Sequence, residues 1–218
     1  MIKAVVFDLD GTIIDSLEDI HDALNKALTF YKKSVITIED TKNYLGDGIT
    51  MLVKRASKIF DDNNPLLQNI KQYYAAYYHE HCLIKTKPYN HVIDLLKELK
   101  GKGIKIFVLS NKPHLDTLKI VKHYFNNLFD EVFGCSDEAK KKPSPVMLEY
   151  ILNEYHLKSS EVLMVGDSPV DIKTAKACEI KSVACTYGFK SYLELAKSSP
   201  SYIVNDPKDI AKFVFLIR

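Results

Sequence analysis

The sequence predicts an α/β protein with a parallel, doubly wound sheet and a separate helical module. From Pro88 onward, short apolar runs alternate with amphipathic helical patterns, which is the β-α-β-α signature of a parallel sheet. From Ser16 to about Cys82, by contrast, apolar residues recur at helical spacing and no strand pattern interrupts them. The length of 218 residues suits one full core with a small second module.

The first element is a predicted buried strand at residues 2–7, after which the chain carries two carboxylates, Asp8 and Asp10. Residues two apart in a strand point to the same side, so these side chains would share a face, and Gly11 permits a sharp turn directly after them. Like charges this close are costly unless they share a cation such as Mg²⁺ or one carboxyl keeps a proton. An isolated D-x-D-G stretch also fits a polar turn, so the choice depends on the rest of the chain.

The helical module contains three predicted helical stretches. Apolar spacing marks the first near residues 20–28 and the second near residues 52–59, and Pro65 opens the third. The third stretch carries an aromatic face that we expect to pack between helices, formed by Tyr73, Tyr74, Tyr77 and Tyr78.

The alternating part of the chain contains predicted strands at residues 104–109, 131–134, 162–165 and 182–185, with an edge strand at 202–204. The predicted helices between and after them cover residues 92–100, 115–124, 145–155, 172–178 and 208–216.

Polar side chains follow these strands at the points where each strand ends. Ser110 and Asn111 follow the strand at 104–109, while Asp167 and Asp171 follow the strand at 162–165. Lys142 stands before a proline and a predicted helix between the third and fourth strands of the sheet. Because ligands bind outside the carboxyl ends of parallel strands, we expect these groups to converge on one edge. Their chemistry suits phosphoryl transfer, which needs acidic oxygens, an acid or base, donors and a fixed cation.

Composition excludes several classes of partner. The net charge of +2 and the lack of a long basic stripe with aromatics argue against nucleic acid as a partner. Four widely spaced cysteines without a C-x-x-C pair argue against a disulfide framework or a zinc site. No apolar segment is long enough to cross a membrane, and no secretory signal opens the chain. We therefore expect a cytoplasmic protein, a monomer or a homodimer, without a membrane partner.

With these four polar clusters in order, the sequence resembles the haloacid dehalogenase (HAD) superfamily over essentially its whole length. The resemblance implies a Rossmann-like core formed by residues 1–15 and 83–218, with an inserted helical cap at residues 16–82.

The same resemblance implies a two-step mechanism. Asp8 would attack phosphorus and carry an aspartyl-phosphate, while Asp10 would protonate the leaving oxygen and later activate water. Ser110 and Asn111 would hold phosphoryl oxygens, and Lys142 would neutralise their charge.

The implied cofactor is Mg²⁺, held by the carboxylates of Asp8 and Asp167 and by the backbone carbonyl of Asp10. Asp171 would lie just outside the direct ligands of the metal, or would contact the metal through a water molecule. Asp10 also separates this chain from the dehalogenases, which lack the second aspartate because a halide leaving group needs no protonation.

Within the superfamily, several stretches look like phosphoglycolate phosphatases, among them the cap stretch with Gly46, Asp47 and Gly48. The implied substrate is a small phosphorylated metabolite, foremost 2-phosphoglycolate. Arg55 is expected to bind its carboxylate, because a guanidinium group can form a bidentate pair of hydrogen bonds with a carboxylate. Three alternatives stay open: a β-phosphoglucomutase-like phosphomutase, a pyrophosphatase of the same superfamily, or a non-catalytic regulator on this fold.

Overall fold

The computed structural model describes residues 1–215, and Leu216 at the end of the last predicted helix lies outside this range. The described residues form eight β-strands: β1 (Ala4–Phe7), β2 (Ile14–Asp15), β3 (Lys87–Pro88), β4 (Lys105–Pro113), β5 (Glu131–Cys135), β6 (Val162–Gly166), β7 (Lys181–Cys185) and β8 (Tyr202–Val204). They also form α-helices at α1 (Leu17–Phe30), α2 (Ile38–Tyr44), α3 (Gly48–Ser57), α4 (Pro65–His81), α5 (Val92–Gly101), α6 (His114–Phe125), α7 (Val146–Glu154), α8 (Pro169–Ala177), α9 (Tyr192–Lys197) and α10 (Ile210–Phe215).

Six strands form one parallel sheet in the order β5-β4-β1-β6-β7-β8. The chain builds outward from β1 through β4 to β5, and then returns to the other side of β1 to add β6, β7 and β8. The strand order therefore reverses next to β1, and a doubly wound sheet binds its ligand at such a point. This architecture confirms the predicted α/β class with a Rossmann-like core.

Both faces of the sheet are buried, as a parallel sheet requires. Side chains alternate along β1, so Val5 and Phe7 join one hydrophobic cluster while Ala4 and Val6 join another. The first cluster includes buried residues of α1, α4, α5, α6 and α10, and the second includes residues of α7 and α8. The buried residues of α1 and α4 therefore belong to the same hydrophobic cluster as one face of the sheet.

Four helices, α1 to α4, lie between β2 and β3, which pair antiparallel where the chain leaves and rejoins the sheet. Three helical stretches were predicted here; α2 was not, because its sequence is too polar to show apolar periodicity. A local signal exists nevertheless: the Thr37 hydroxyl accepts from the Asp40 backbone N–H, and the Asp40 carboxylate accepts from the Thr37 N–H. This reciprocal capping starts α2 without a large apolar face.

Helix starts elsewhere follow similar rules. Pro65 occupies the first turn of α4, and the Asn64 side chain accepts from the Leu66 backbone N–H.

The described residues contain no helix that is both long and apolar enough to cross a membrane.

Candidate active site

The candidate site is a cavity at the carboxyl ends of β1, β4 and β6, where the strand order reverses. From the sheet side it is lined by Asp8, Asp10, Ser110, Asn111, Lys112, Pro113, Asp116, Asp167, Ser168, Phe189 and Lys190. From the insert it is lined by Leu45, Gly46, Gly48, Ile49, Leu52, Tyr74, Ala75 and Tyr78. The cavity therefore has one wall of charged and polar groups and one mainly apolar wall.

Asp8 follows β1 directly and is held in place from two sides. Its backbone N–H donates to the Val165 carbonyl of β6 at 2.9 Å, and its carboxylate lies 2.8 Å from Lys142 Nζ. The same ammonium group donates to the Asp171 carboxylate at 2.6 Å. Burial alone would lower the pKa of Lys142, but the carboxylates of Asp171 and Asp8 outweigh it, so this lysine stays charged.

Three buried carboxylates, Asp8, Asp167 and Asp171, each present an oxygen within 4.8 Å of the other two. Burial raises the pKa of Asp8 to about 7, and the Asp171 charge adds to the rise although Lys142 opposes it. Burial also raises the pKa of Asp167 well above its ordinary value, with Asp8 and Asp171 adding to the shift. These three acids have one buried lysine between them, so within residues 1–215 full ionisation leaves two negative charges without a cation to balance them.

This donor set fits Mg²⁺, which prefers hard oxygen ligands and carboxylates. A divalent charge would also balance the two carboxylate charges that Lys142 does not neutralise. Asp171 contributes differently from the other two acids: its second oxygen accepts from the backbone N–H and the hydroxyl of Ser168, capping α8. The backbone carbonyl of Asp10 stays a predicted ligand.

Asp167 lies in a tight backbone cradle. It accepts from the Phe189 N–H at 2.7 Å and from the Thr12 hydroxyl at 3.4 Å. Gly11 has a φ of +79°, and a Cβ added there would lie 2.2 Å from an Asp167 carboxylate oxygen. A Cβ on Gly188 would lie 2.4 Å from the Asp167 Cβ. Only glycine fits at either position, so the D-x-D-G turn and the loop after β7 both press against this carboxylate.

Asp10 faces the cavity and is bound by two neighbours. The Ser16 hydroxyl donates to it at 2.5 Å, and Lys112 Nζ donates to both carboxylate oxygens at 2.7 and 2.8 Å. Lys112 was not among the residues predicted for the site. Nothing in local spacing links residues 10 and 112, because β1 and β4 are adjacent only in the folded sheet.

Ser110 and Asn111 lie at the end of β4 and both line the cavity. The Ser110 hydroxyl accepts from the Lys112 backbone N–H at 3.2 Å, which leaves its own proton free to donate. The Asn111 amide donates to the carbonyls of Gly46 and Lys142, and its oxygen accepts from the Lys142 N–H. This differs from the expected role: both side-chain donors of Asn111 are used to position Lys142 and the insert, so the side chain has none left for phosphate.

The predicted cap residues divide into two groups. Gly46 and Gly48 line the cavity, with φ values of +117° and +80°. Asp47 and Arg55 are not among the described lining residues; instead Arg55 donates to the Tyr44 carbonyl at 2.8 Å and to the Asp47 carboxylate at 2.6 Å. The structure therefore places Arg55 as a brace for the turn before α3, where we had expected a contact with substrate.

Replacing Arg55 by alanine tests this placement. Since the guanidinium holds the 44–47 turn, we expect Arg55→Ala to lower kcat/KM by a similar factor, about threefold to tenfold, for substrates with and without a carboxylate. Steady-state kinetics on 2-phosphoglycolate and an aryl phosphate measure both factors. A loss confined to 2-phosphoglycolate would instead return Arg55 to the substrate-binding residues.

Comparison with known proteins shows the family of the chain. The sequence model of the haloacid dehalogenase-like hydrolase family matches residues 5–185, from β1 to the end of β7. The chain belongs to this family. Its sequence is 30% identical to the phosphoglycolate phosphatase of Aliivibrio fischeri, covering 100% of this chain and 98% of the relative. It is also 30% identical to the phosphoglycolate phosphatase of Colwellia psychrerythraea, covering 92% and 91%.

Solved structures of the HAD-like family share the fold. A predicted phosphoglycolate phosphatase from Haemophilus somnus superposes with a TM-score of 0.91 at 29% identity, covering 97% of each chain. The expected membership of the HAD superfamily and the resemblance to phosphoglycolate phosphatases are thereby confirmed. So is the enzyme class, a phosphoric monoester hydrolase.

Proposed function

We propose that this HAD-like hydrolase is a Mg²⁺-dependent phosphatase of a small phosphate monoester, with 2-phosphoglycolate as the first candidate substrate. The observation that carries the proposal is the pairing of Asp8 with the buried Lys142 beside two further carboxylates, in the cavity that also contains Asp10. The named relatives support 2-phosphoglycolate as the substrate.

In the proposed first step, an Asp8 oxygen attacks phosphorus and forms an aspartyl-phosphate as the bond to the ester oxygen breaks. Asp10 gives a proton to that oxygen, and the alcohol leaves. In the second step Asp10 takes a proton from water, whose oxygen attacks phosphorus and releases phosphate from Asp8. The Ser110 hydroxyl, whose proton is free, would donate to a phosphoryl oxygen, and Lys142 would offset the charge of the phosphoryl group.

Asp8 and Asp167 are the residues we propose to hold Mg²⁺, with Asp171 next to them. When bound, the metal supplies positive charge that reduces repulsion between the phosphoryl oxygens and the attacking carboxylate.

The helical insert, for which we propose the bounds 16–82, would act as the cap over the phosphoryl site. Leu45, Ile49 and Leu52 of the insert line the same cavity as Asp8 and Asp10. Closed over the site, this apolar wall would exclude water from the attacking carboxylate and favour a small phosphorylated metabolite over a polymer.

The binding of Mg²⁺ is expected to stabilise the protein in a pH-dependent way. The metal-free pKa values of Asp8 and Asp167 lie above their ordinary value of 3.8, so the folded state binds more protons than the unfolded state between pH 4 and about 7. Its stability from these groups therefore falls as the pH rises through this window. Because Mg²⁺ competes with those protons, it should raise the Tm more at pH 8 than at pH 5.

Thermal melts with and without Mg²⁺ at the two pH values measure this difference. Asp167→Asn is the control, since it should remove most of the Mg²⁺-induced rise at pH 8. Equal shifts at both pH values would show that the metal does not bind these carboxyl groups.

A panel of phosphate esters tests the proposed function. Purified protein with Mg²⁺ should release phosphate from 2-phosphoglycolate, and a chelator should stop the release until Mg²⁺ is restored. Inclusion of pyrophosphate and of β-glucose 1-phosphate with its bisphosphate activator separates the pyrophosphatase and phosphomutase alternatives. Absence of phosphate release from every ester would contradict the proposal and favour a non-catalytic regulator.

A further inference from the structure

Lys112 is a buried cation in the cavity that the proposed two-step mechanism does not use. It is 7% exposed, lies at the end of β4, and lines the cavity together with Asp8 and Asp10. Its ammonium group makes two hydrogen bonds within the described chain, one to each carboxylate oxygen of Asp10. An ammonium group has three donors, so one N–H is left for a further acceptor.

The surroundings of Lys112 are aromatic and come from the helical insert. The ammonium lies 4.6 Å from the ring centre of Tyr78 on α4, and Tyr74 stacks against Tyr78 at 5.8 Å. The Tyr78 hydroxyl is buried and has no hydrogen-bond partner in residues 1–215, and Tyr78 lines the same cavity. A buried, unpartnered hydroxyl beside a buried cation indicates a binding pocket that a polar ligand completes.

The position of Lys112 relative to Asp10 defines which part of a substrate it can reach. In the proposed mechanism Asp10 contacts the ester oxygen at hydrogen-bond distance. Lys112 Nζ lies 2.7 Å from an Asp10 carboxylate oxygen, so it is close to the leaving group when Asp10 contacts the ester oxygen. In 2-phosphoglycolate one methylene separates the ester oxygen from the carboxylate, so the two groups lie within about 4 Å of each other. A carboxylate at that spacing falls in the range of Lys112 when the ester oxygen is at Asp10.

We propose that Lys112 binds the carboxylate of the leaving group, and that the substrate class is therefore the phosphate esters of 2-hydroxy carboxylic acids. This inference rests on the proposed phosphatase function and deepens it. Asp10 and the substrate carboxylate share the ammonium group, and Tyr78 screens their contact from water, which strengthens a charged hydrogen bond.

The other cations near the cavity are committed elsewhere. Lys190 lines the cavity, but its ammonium donates to the Asn43 carbonyl at 2.9 Å and so links the core to the last turn of α2. Arg55 is bound to Tyr44 and Asp47, and Lys142 to Asp8 and Asp171. Among the described residues, Lys112 is the cation that combines a free donor with a place beside Asp10.

Two substrates of nearly equal size test the proposal: 2-phosphoglycolate and ethyl phosphate, which carries a methyl group in place of the carboxylate. The wild-type enzyme should prefer 2-phosphoglycolate in kcat/KM by about tenfold or more, the scale of one charged hydrogen bond. Lys112→Met keeps the length of the side chain and removes its charge, so it should abolish most of this preference through a higher KM for 2-phosphoglycolate. Lys112→Arg should retain part of it, and Lys190→Met, the matched control, should leave the preference near that of the wild type.

The outcomes separate this inference from the function on which it rests. If the wild type hydrolyses both esters without preference, the carboxylate site is wrong while the phosphatase function stands, and this result needs no folded variant. If Lys112→Met slows both esters by the same factor, Lys112 acts only by positioning Asp10, and the inference is wrong. Loss of the preference in Lys190→Met would move the carboxylate site to Lys190. Failure of the wild type to hydrolyse any ester would overturn the proposed function itself.

Discussion

Asp8→Asn is expected to reduce phosphatase activity to less than about a hundredth of the wild-type value while the protein stays folded. The amide fills the space of the carboxylate but cannot attack phosphorus, so the covalent step is lost. Stability should change little, because the substitution removes one charge from a crowded group of three buried acids while it weakens one contact with Lys142.

Phosphate release and a thermal melt measure the two effects of Asp8→Asn. A matched control is Asp15→Asn, at the end of β2, since Asp15 is not among the lining residues of the cavity. Activity of Asp8→Asn well above a hundredth of wild type would assign the nucleophile to another group.

Lys142→Met is expected to have the largest effect on stability. The lysine is 3% exposed and is the partner of both Asp8 and Asp171, so its removal leaves buried carboxylates without their cation. Breaking a buried ion pair from one side costs about 3–5 kcal/mol. Activity should also fall by roughly a hundredfold or more, as for loss of a group that stabilises developing charge.

The pH dependence identifies the origin of this loss in Lys142→Met. Lys142 lowers the pKa of Asp8 in the wild type, so without the lysine this pKa rises further, and the folded state then binds a proton that the unfolded state does not. The deficit in the free energy of unfolding should therefore be larger at pH 8 than at pH 5. Denaturant titrations at both pH values measure it, with the exposed Lys140→Met as the matched control. A deficit independent of pH would attribute the loss to packing rather than charge.

The sequence predicts those site residues that directly follow a strand. In a parallel sheet, carboxyl ends meet at one edge whatever the strand order, so polar residues after apolar runs already place Asp8, Asp10, Ser110 and Asp167 near one another. The cavity contains all four.

Contacts between distant segments could not be predicted in this way. The Asn111 side chain looks like a free phosphate ligand in sequence, but its partners are backbone groups of Gly46 and Lys142, whose directions depend on the packed loops. The role of Arg55 could not be predicted either. It donates to the Tyr44 carbonyl, and the direction of that carbonyl cannot be read from residue spacing. Lys112 contacts Asp10 only because β4 pairs with β1 in the sheet, and it contacts Tyr78 only because α4 packs over this edge of the sheet.

The proposed mechanism depends on a covalent aspartyl-phosphate on Asp8, with Asp10 serving first as acid and then as base. Asp10→Asn separates the two steps, because an aryl phosphate has a good leaving group that needs no proton, whereas hydrolysis of the aspartyl-phosphate still needs a base.

The decisive measurement is the pre-steady-state release of nitrophenolate from para-nitrophenyl phosphate by Asp10→Asn in the presence of Mg²⁺. We expect a burst of about one nitrophenolate per enzyme, followed by slow turnover, with the phosphoryl group recovered on Asp8 by mass spectrometry. A linear release without a burst while free phosphate forms at the same rate, or a phosphoryl group on any other residue, would contradict it.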